Sequence, residues 1–249
     1  MGSGTLSSRV LPLLRLLIVV LVVGIVVMVG ALLRYAITNS SNTPRTEAER
    51  AIVAAEESVR INPNDPTARI KLAAAYLEQG ATSKSLEQAR IAVRLNPTDP
   101  SPYYVLGLAE NEARQYDEAI ANLTKATSME GQLAGFYQDA YFALAHAQEA
   151  KGNVTAALTS MDQAIANGPS NTPLLVERAQ MFERAKMYYD AAVDYAWALR
   201  YVPDYSQARE ALDKIKQDHP KDYKRAVDRV ANMMAGTKPA GSDDTTTAP

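Results

Sequence analysis

The stretch Asn62-Pro63-Asn64-Asp65-Pro66 returns as Asn96-Pro97-Thr98-Asp99-Pro100, 34 residues further on by subtraction (96 − 62). In both copies Asp-Pro reads as a helix start, with a carboxylate able to accept from the first free backbone N–H groups and a proline whose missing N–H is not needed at the first helical position. Thr172-Pro173 gives the same signal again, and Pro169 to Pro203 is another step of 34 (203 − 169). Small residues keep the same phase. Ala73, Gly107, Ala145 and Ala179 are spaced 34, 38 and 34, as are Ala92, Ala126, Ala164 and Ala198, so one four-residue insertion near Ala134 to Tyr137 accounts for both departures. A period in this range marks a solenoid of supersecondary units, each too small to bury its own apolar face without its neighbours.

The small residues have a physical reason. Two antiparallel helices approach to about 8 to 10 Å only where short side chains occupy the crossing, with larger ones filling the grooves beside it. Leu72, Leu106 and Leu144 each precede the small residue of a first helix, Ala119, Ala157 and Ala191 fall inside second helices, and Gly80 and Gly152 sit where a first helix should end. Thr46 and Glu49 have the spacing of a capping box, which opens a helix over Glu47 to Ile61.

With these residues in place the chain resembles the tetratricopeptide repeat (TPR) family, whose signature runs Trp-x-x-Leu-Gly-x-x-Tyr, then Ala-x-x-x-Phe, then Pro. The second repeat carries Tyr103-x-x-Leu106-Gly107 and Ala119-x-x-x-Leu123. The first has Leu72-Ala73-x-x-Tyr76 and Pro97, with Ser85 in place of the usual Ala. The third has Tyr141-x-x-Leu144-Ala145, Ala157-x-x-x-Met161 and Pro169, and the fourth Ala179-x-x-Phe182, Ala191-x-x-x-Tyr195 and Pro203, with Arg178 at the Leu position. The resemblance implies an all-α, right-handed α-solenoid of helix hairpins. It divides the chain into a half-repeat helix at 46–65, four repeats at 66–99, 100–133, 138–171 and 172–205, capping helices at 206–235 and a disordered tail at 236–249.

Ahead of the repeats, Leu16 to Leu33 contains no charge, and Arg15 and Arg34 close it on either side. At 1.5 Å per residue such a helix reaches about 27 Å, near the thickness of a bilayer's hydrocarbon. The expectation is a short basic tail at 1–15, a transmembrane helix at 16–34 and a flexible linker at 35–45. That makes a retained single-pass membrane protein, because the apolar run exceeds that of a cleaved signal peptide. Arg9, Arg15 and the terminal amine nearly balance Arg34, Arg45 and Arg50, and a short basic tail held inside would place the repeats on the extracytoplasmic side.

Composition removes whole classes of chemistry. With 26 Lys plus Arg against 28 Asp plus Glu the net charge is −2, which argues against nucleic acid as a partner. Zero Cys excludes disulfides and thiolate sites, and His146 and His219, the only histidines, lie too far apart for a zinc-helix motif. Glu110 with Glu112, and Asp117 with Glu118, read as solvated faces without a converging nucleophile. No catalytic residue, cofactor, metal or small-molecule substrate is expected. Asn39, Asn122 and Asn153 head Asn-x-Ser/Thr sequons. The aromatic cluster Tyr188, Tyr189, Tyr195, Trp197, Tyr201 and Tyr205 reads as packing for the capping helices, with a partner-binding hot spot as its rival.

The resemblance also implies a concave groove lined by the first helices. Carried over position by position, that groove consists of Ile70 and Leu77; Tyr104, Leu108, Asn111 and Glu112; Asp139, Phe142 and His146; and Val176, Gln180 and Glu183. It is an apolar and acidic floor. Ile70, Ala74, Val105, Asp139 and Ala143 stand where the chaperone-tail-binding subfamily places its carboxylate clamp, so a terminal carboxylate would be repelled. The expected role is a membrane-tethered scaffold or adaptor that holds a basic or apolar segment of a membrane-associated protein partner. The alternative is a structural or assembly subunit of a larger membrane complex, of the secretion, pilus or cytochrome-maturation kind.

Overall fold

The computed structural model describes the backbone of residues 7–40, 46–168 and 171–236, and the side chains of these except 7–17, 19 and 36–40. The expected linker residues 41–45, Pro169, the tail from Thr237 onward and the sequon side chain of Asn39 lie outside the described residues. Among the described residues there are twelve helices and no strand. They are α1 (Ser7–Ser40), α2 (Glu47–Ile61), α3 (Pro66–Glu78), α4 (Thr82–Leu95), α5 (Pro100–Glu112), α6 (Tyr116–Ser128), α7 (Ala134–Ala150), α8 (Val154–Asn167), α9 (Thr172–Arg184), α10 (Tyr188–Tyr201), α11 (Ser206–Asp218) and α12 (Pro220–Met234). The chain forms two units, 1–54 and 55–249.

The first unit holds α1. The helix starts at Ser7 and runs to Ser40, so helical backbone occupies much of what was expected to be tail and linker. Its described large side chains, from Ile18 to Tyr35, are exposed, a contiguous apolar surface of the kind that folded chains seldom leave uncovered. The expectation of a single-pass membrane protein is nevertheless corrected: among the described residues no helix is long and apolar enough to cross a membrane. The extracytoplasmic placement and the membrane-associated partner go with it. At the start of α2 the capping box is formed, with Glu49 N–H donating to Thr46 Oγ1 at 3.1 Å and Thr46 N–H to Glu49 Oε2 at 3.3 Å.

The second unit is a row of hairpins, α3–α4, α5–α6, α7–α8 and α9–α10, in which each helix packs on its predecessor. Small residues make the crossings: Ala73, Ala145 and Ala179 have no exposed surface. At Gly107 a Cβ would stand 2.6 Å from Leu123 Cγ and 3.3 Å from the Ala119 carbonyl, so α5 and α6 approach too closely for any side chain there. Asp65 accepts from Thr67 N–H at 2.9 Å and Asp99 from Ser101 N–H at 2.7 Å, the two caps that the Asp-Pro pairs announce. Thr172 behaves differently. It is buried as the first residue of α9, the cap position falls to Asn171, and no side-chain capping bond forms.

The turn inside each hairpin is one motif used four times. Gly80, Arg114, Gly152 and Lys186 have φ of 72°, 59°, 89° and 60°, and the next residue's N–H reaches back to Tyr76, Glu110, Gln148 or Phe182, each at 2.8 Å. This is the Schellman closure, which needs a left-handed residue and favours glycine. Arg114 and Lys186 adopt it in the second and fourth hairpins against that preference.

The four extra residues near 134–137 form the opening turn of α7 instead of a loop. Four residues are close to one helical turn, so the insertion lengthens the helix while keeping the later residues in phase. At the other end, α12 packs chiefly on α10 and less on α11, folding back on the last hairpin. The aromatic cluster serves this closure. Tyr188 stacks on His219 with ring centroids 3.6 Å apart, Arg225 lies 4.6 Å over the Tyr189 ring, and Tyr195 is buried. Trp197 and Tyr201 stack at 6.2 Å, with Tyr201 half exposed.

Candidate protein-binding face

Helical phase places the sequence-derived groove residues together on the first helices. Tyr104, Leu108 and Asn111 follow at i, i+4 and i+7 along α5, and Asp139, Phe142 and His146 at i, i+3 and i+7 along α7. Ile70, Leu77, Tyr104, Leu108, Phe142, His146, Gln180 and Glu183 are part-buried. Glu112 and Asp139 are exposed. Asn111 is part-buried, with its Oδ1 buried and without a donor. Val176 departs from the expected lining: only 2% exposed, it packs into the core with α10 and cannot be touched from outside.

Several of these side chains hold one another. Phe142 and His146 meet edge to face with centroids 4.5 Å apart, and His146 Nε2 lies 4.0 Å from Glu177 Oε2 on α9. Glu149 accepts both arms of the Arg184 guanidinium, at 2.7 and 2.9 Å. Tyr195 donates its hydroxyl to Glu183 at 2.5 Å, and burial together with that carboxylate raises the phenol far above its ordinary value. Tyr104 is raised as well, by burial first and then by the charge of Asp139. Glu149 and Glu183 are therefore already engaged, by Arg184 and by Tyr195. Glu112 and Asp139 form no ion pair among the described residues.

One contact set escaped the sequence reading. Glu110, taken as a solvated carboxylate, is only 3% exposed, and it accepts from Asn122 Nδ2 at 2.7 Å. Burial raises its carboxyl above the ordinary value, and the Asn122 hydrogen bond pulls against that rise. The same bond occupies the amide of the Asn122 sequon, whereas Asn153 is exposed. The positions equivalent to Asn122 are Gln88, Ser160 and Asp194, and each of them bonds a first-helix side chain: Arg69 to Gln88 at 2.6 Å, Ser160 to Gln148 at 2.7 Å, and Arg178 to Asp194 at 2.7 and 2.8 Å. The 34- and 38-residue steps put these four in one register, which is the signal that would have found them. Arg178, which interrupts the leucine pattern, also pairs with Asp162 on α8. Burial lowers the Arg178 guanidinium, and the two carboxylates more than restore it.

Among the described residues no group of three or more His, Asp or Glu is placed to hold a metal ion. What the face offers is part-buried apolar side chains beside the exposed carboxylates Glu112 and Asp139, on the first helices of successive hairpins.

Comparison with known proteins agrees with this architecture. The tetratricopeptide repeat family matches residues 45–100 and 104–172, half of the chain, and the protein belongs to that family. No curated protein matches it. Among solved structures it is similar to TTC0263, a thermophilic TPR protein of Thermus thermophilus, at 22% identity and TM-score 0.56, over 66% of this chain and 90% of that one. It is similar to MamA residues 41-end from Desulfovibrio magneticus RS-1, at 18% identity and TM-score 0.55, over 65% of this chain and 89% of that one. A third similar structure is YrrB, a TPR protein with an unusual peptide-binding site, at 17% identity and TM-score 0.51, over 72% of this chain and 98% of that one. At these identities the likeness is one of fold.

Proposed function

We propose that this protein is a non-enzymatic TPR scaffold that binds an extended or helical segment of a partner protein along its first-helix face, in a groove floored by Tyr104, Leu108 and Phe142. The observation that carries the reading is that these large apolar side chains are only part-buried, while the small crossing residues of the same row of hairpins are sealed. Covering them adds about 25 cal/mol per Å² of apolar surface. Glu112 and Asp139, free of ion pairs within the described residues, select a basic partner and repel an acidic one. Ile70, Leu77, Asn111, His146, Gln180 and Glu183 extend the surface along the row. YrrB offers a precedent for peptide binding on this fold.

The test is the double substitution Tyr104→Ala, Phe142→Ala followed by affinity capture from cells that express the protein. Loss of the specifically captured partner, with an unchanged helical spectrum, is the expected result. Undiminished capture would remove the groove from the account.

A further inference from the structure

The extra turn of α7 changes what the groove presents. It delivers Phe136, whose ring meets Tyr104 of α5 edge to face with centroids 5.5 Å apart. Tyr137 anchors the turn by donating its hydroxyl to the Met129 carbonyl at 2.6 Å. One turn beyond Phe136, Asp139 is exposed, and its charge already bears on the Tyr104 phenol. Elsewhere in the chain aromatic rings take the protein's own cations: Lys84 over Tyr76, Lys125 over Tyr103, Arg178 near Phe182, Lys216 over Tyr223 and Arg225 over Tyr189. Among the described residues no Lys or Arg covers Tyr104 or Phe136.

We propose that Tyr104, Phe136 and Asp139 form a seat for one Lys or Arg side chain of the bound segment. This seat rests on the groove reading given above. An aromatic ring attracts a cation through its quadrupole, and a neighbouring carboxylate adds a full charge at hydrogen-bonding range. A neutral or acidic side chain gains neither.

The test is a random peptide library displayed on phage and selected on the immobilised full-length protein, with the recovered peptides synthesised and their affinities measured. The seat predicts that binders carry an Arg or Lys whose replacement by citrulline or Gln weakens binding about tenfold. It also predicts that Asp139→Asn, an exposed change that leaves the fold intact, sharply reduces that difference between Arg and citrulline peptides, and that Phe136→Ala reduces it as well. Peptides that depend on Leu108, shown by loss on Leu108→Ala, yet bind equally to the Asp139→Asn protein would overturn the seat and leave the groove standing. Peptides indifferent to Leu108→Ala, or no binders at all, would overturn both.

Discussion

The second and fourth hairpins solve one packing problem in two ways. In α5–α6 the position before the small crossing residue is Leu106, buried among aliphatic neighbours, and the polar couple behind it is neutral in one partner, Asn122 to Glu110. In α9–α10 the equivalent leucine is replaced by Arg178, which reaches Asp194 with two hydrogen bonds and Asp162 with a third contact. The family pattern is met by aliphatic burial in one case and by a satisfied charge cluster in the other. The difference teaches that the hairpin requires a filled and paired site at this position more than it requires leucine. A buried charge is tolerated only while each of its partners is present.

The strongest way to break the comparison is Arg178→Ala, which strands Asp194 in a site where only 3% of the residue is exposed. We expect a loss of about 3 kcal/mol or more, read by denaturant titration. Replacing both partners by apolar residues, Arg178→Leu with Asp194→Leu, should recover most of it, and a double-mutant cycle measures the coupling. In the second hairpin the corresponding stress is steric. Gly107→Ala drives a Cβ against Leu123 and the Ala119 carbonyl, and overpacking of about 1–3 kcal/mol outweighs the roughly 1 kcal/mol gained in helix propensity, so the melting temperature should fall.

Glu110 sharpens the contrast through pH. Its folded-state carboxyl lies above its ordinary value because of burial, so the folded chain holds a proton that the unfolded chain releases. That contribution is fully present below the ordinary carboxylate range and is lost as pH rises through the raised value. Glu110→Gln should flatten the slope of stability over this window, as followed by chemical denaturation at stepped pH. The smallest effect belongs to the first hairpin. Ser85, in place of the usual Ala, is fully buried and its hydroxyl has no partner, so Ser85→Ala should stabilise by about 1 kcal/mol in the same assay.

The fold was legible because its determinants are local and periodic. Asp65 and Asp99 cap their helices, Thr46 and Glu49 form their box, and Ala73, Gly107, Ala145 and Ala179 sit at sealed crossings, all positions that the 34-residue phase marks. What escaped depends on pairs distant in sequence. Glu110 looks solvated until Asn122 comes across from α6, and Arg178 looks like a defect until Asp194 and Asp162 arrive from two other helices. Val176 had the phase of a groove residue, but the neighbouring helix α10 covers it. Arg114 and Lys186 carry no glycine signal, yet they adopt the left-handed turn that Gly80 and Gly152 announce. The apolar run ahead of the repeats, read as a membrane span, is the largest correction. Of the candidate face, the phase of Tyr104, Leu108 and Phe142 was readable. The insertion near Phe136 was readable too, whereas the contact it makes with Tyr104 depends on how α7 packs on α5.

The most direct test of the account is site-specific photo-crosslinking in cells. A photoreactive residue at Leu108 or Glu112 on the first helices should capture one discrete partner, and the same probe at Thr124 or Thr159, on second helices, should not. Capture of that partner from Thr124 and Thr159 but from neither Leu108 nor Glu112 would contradict the assignment of the first-helix face as the binding surface.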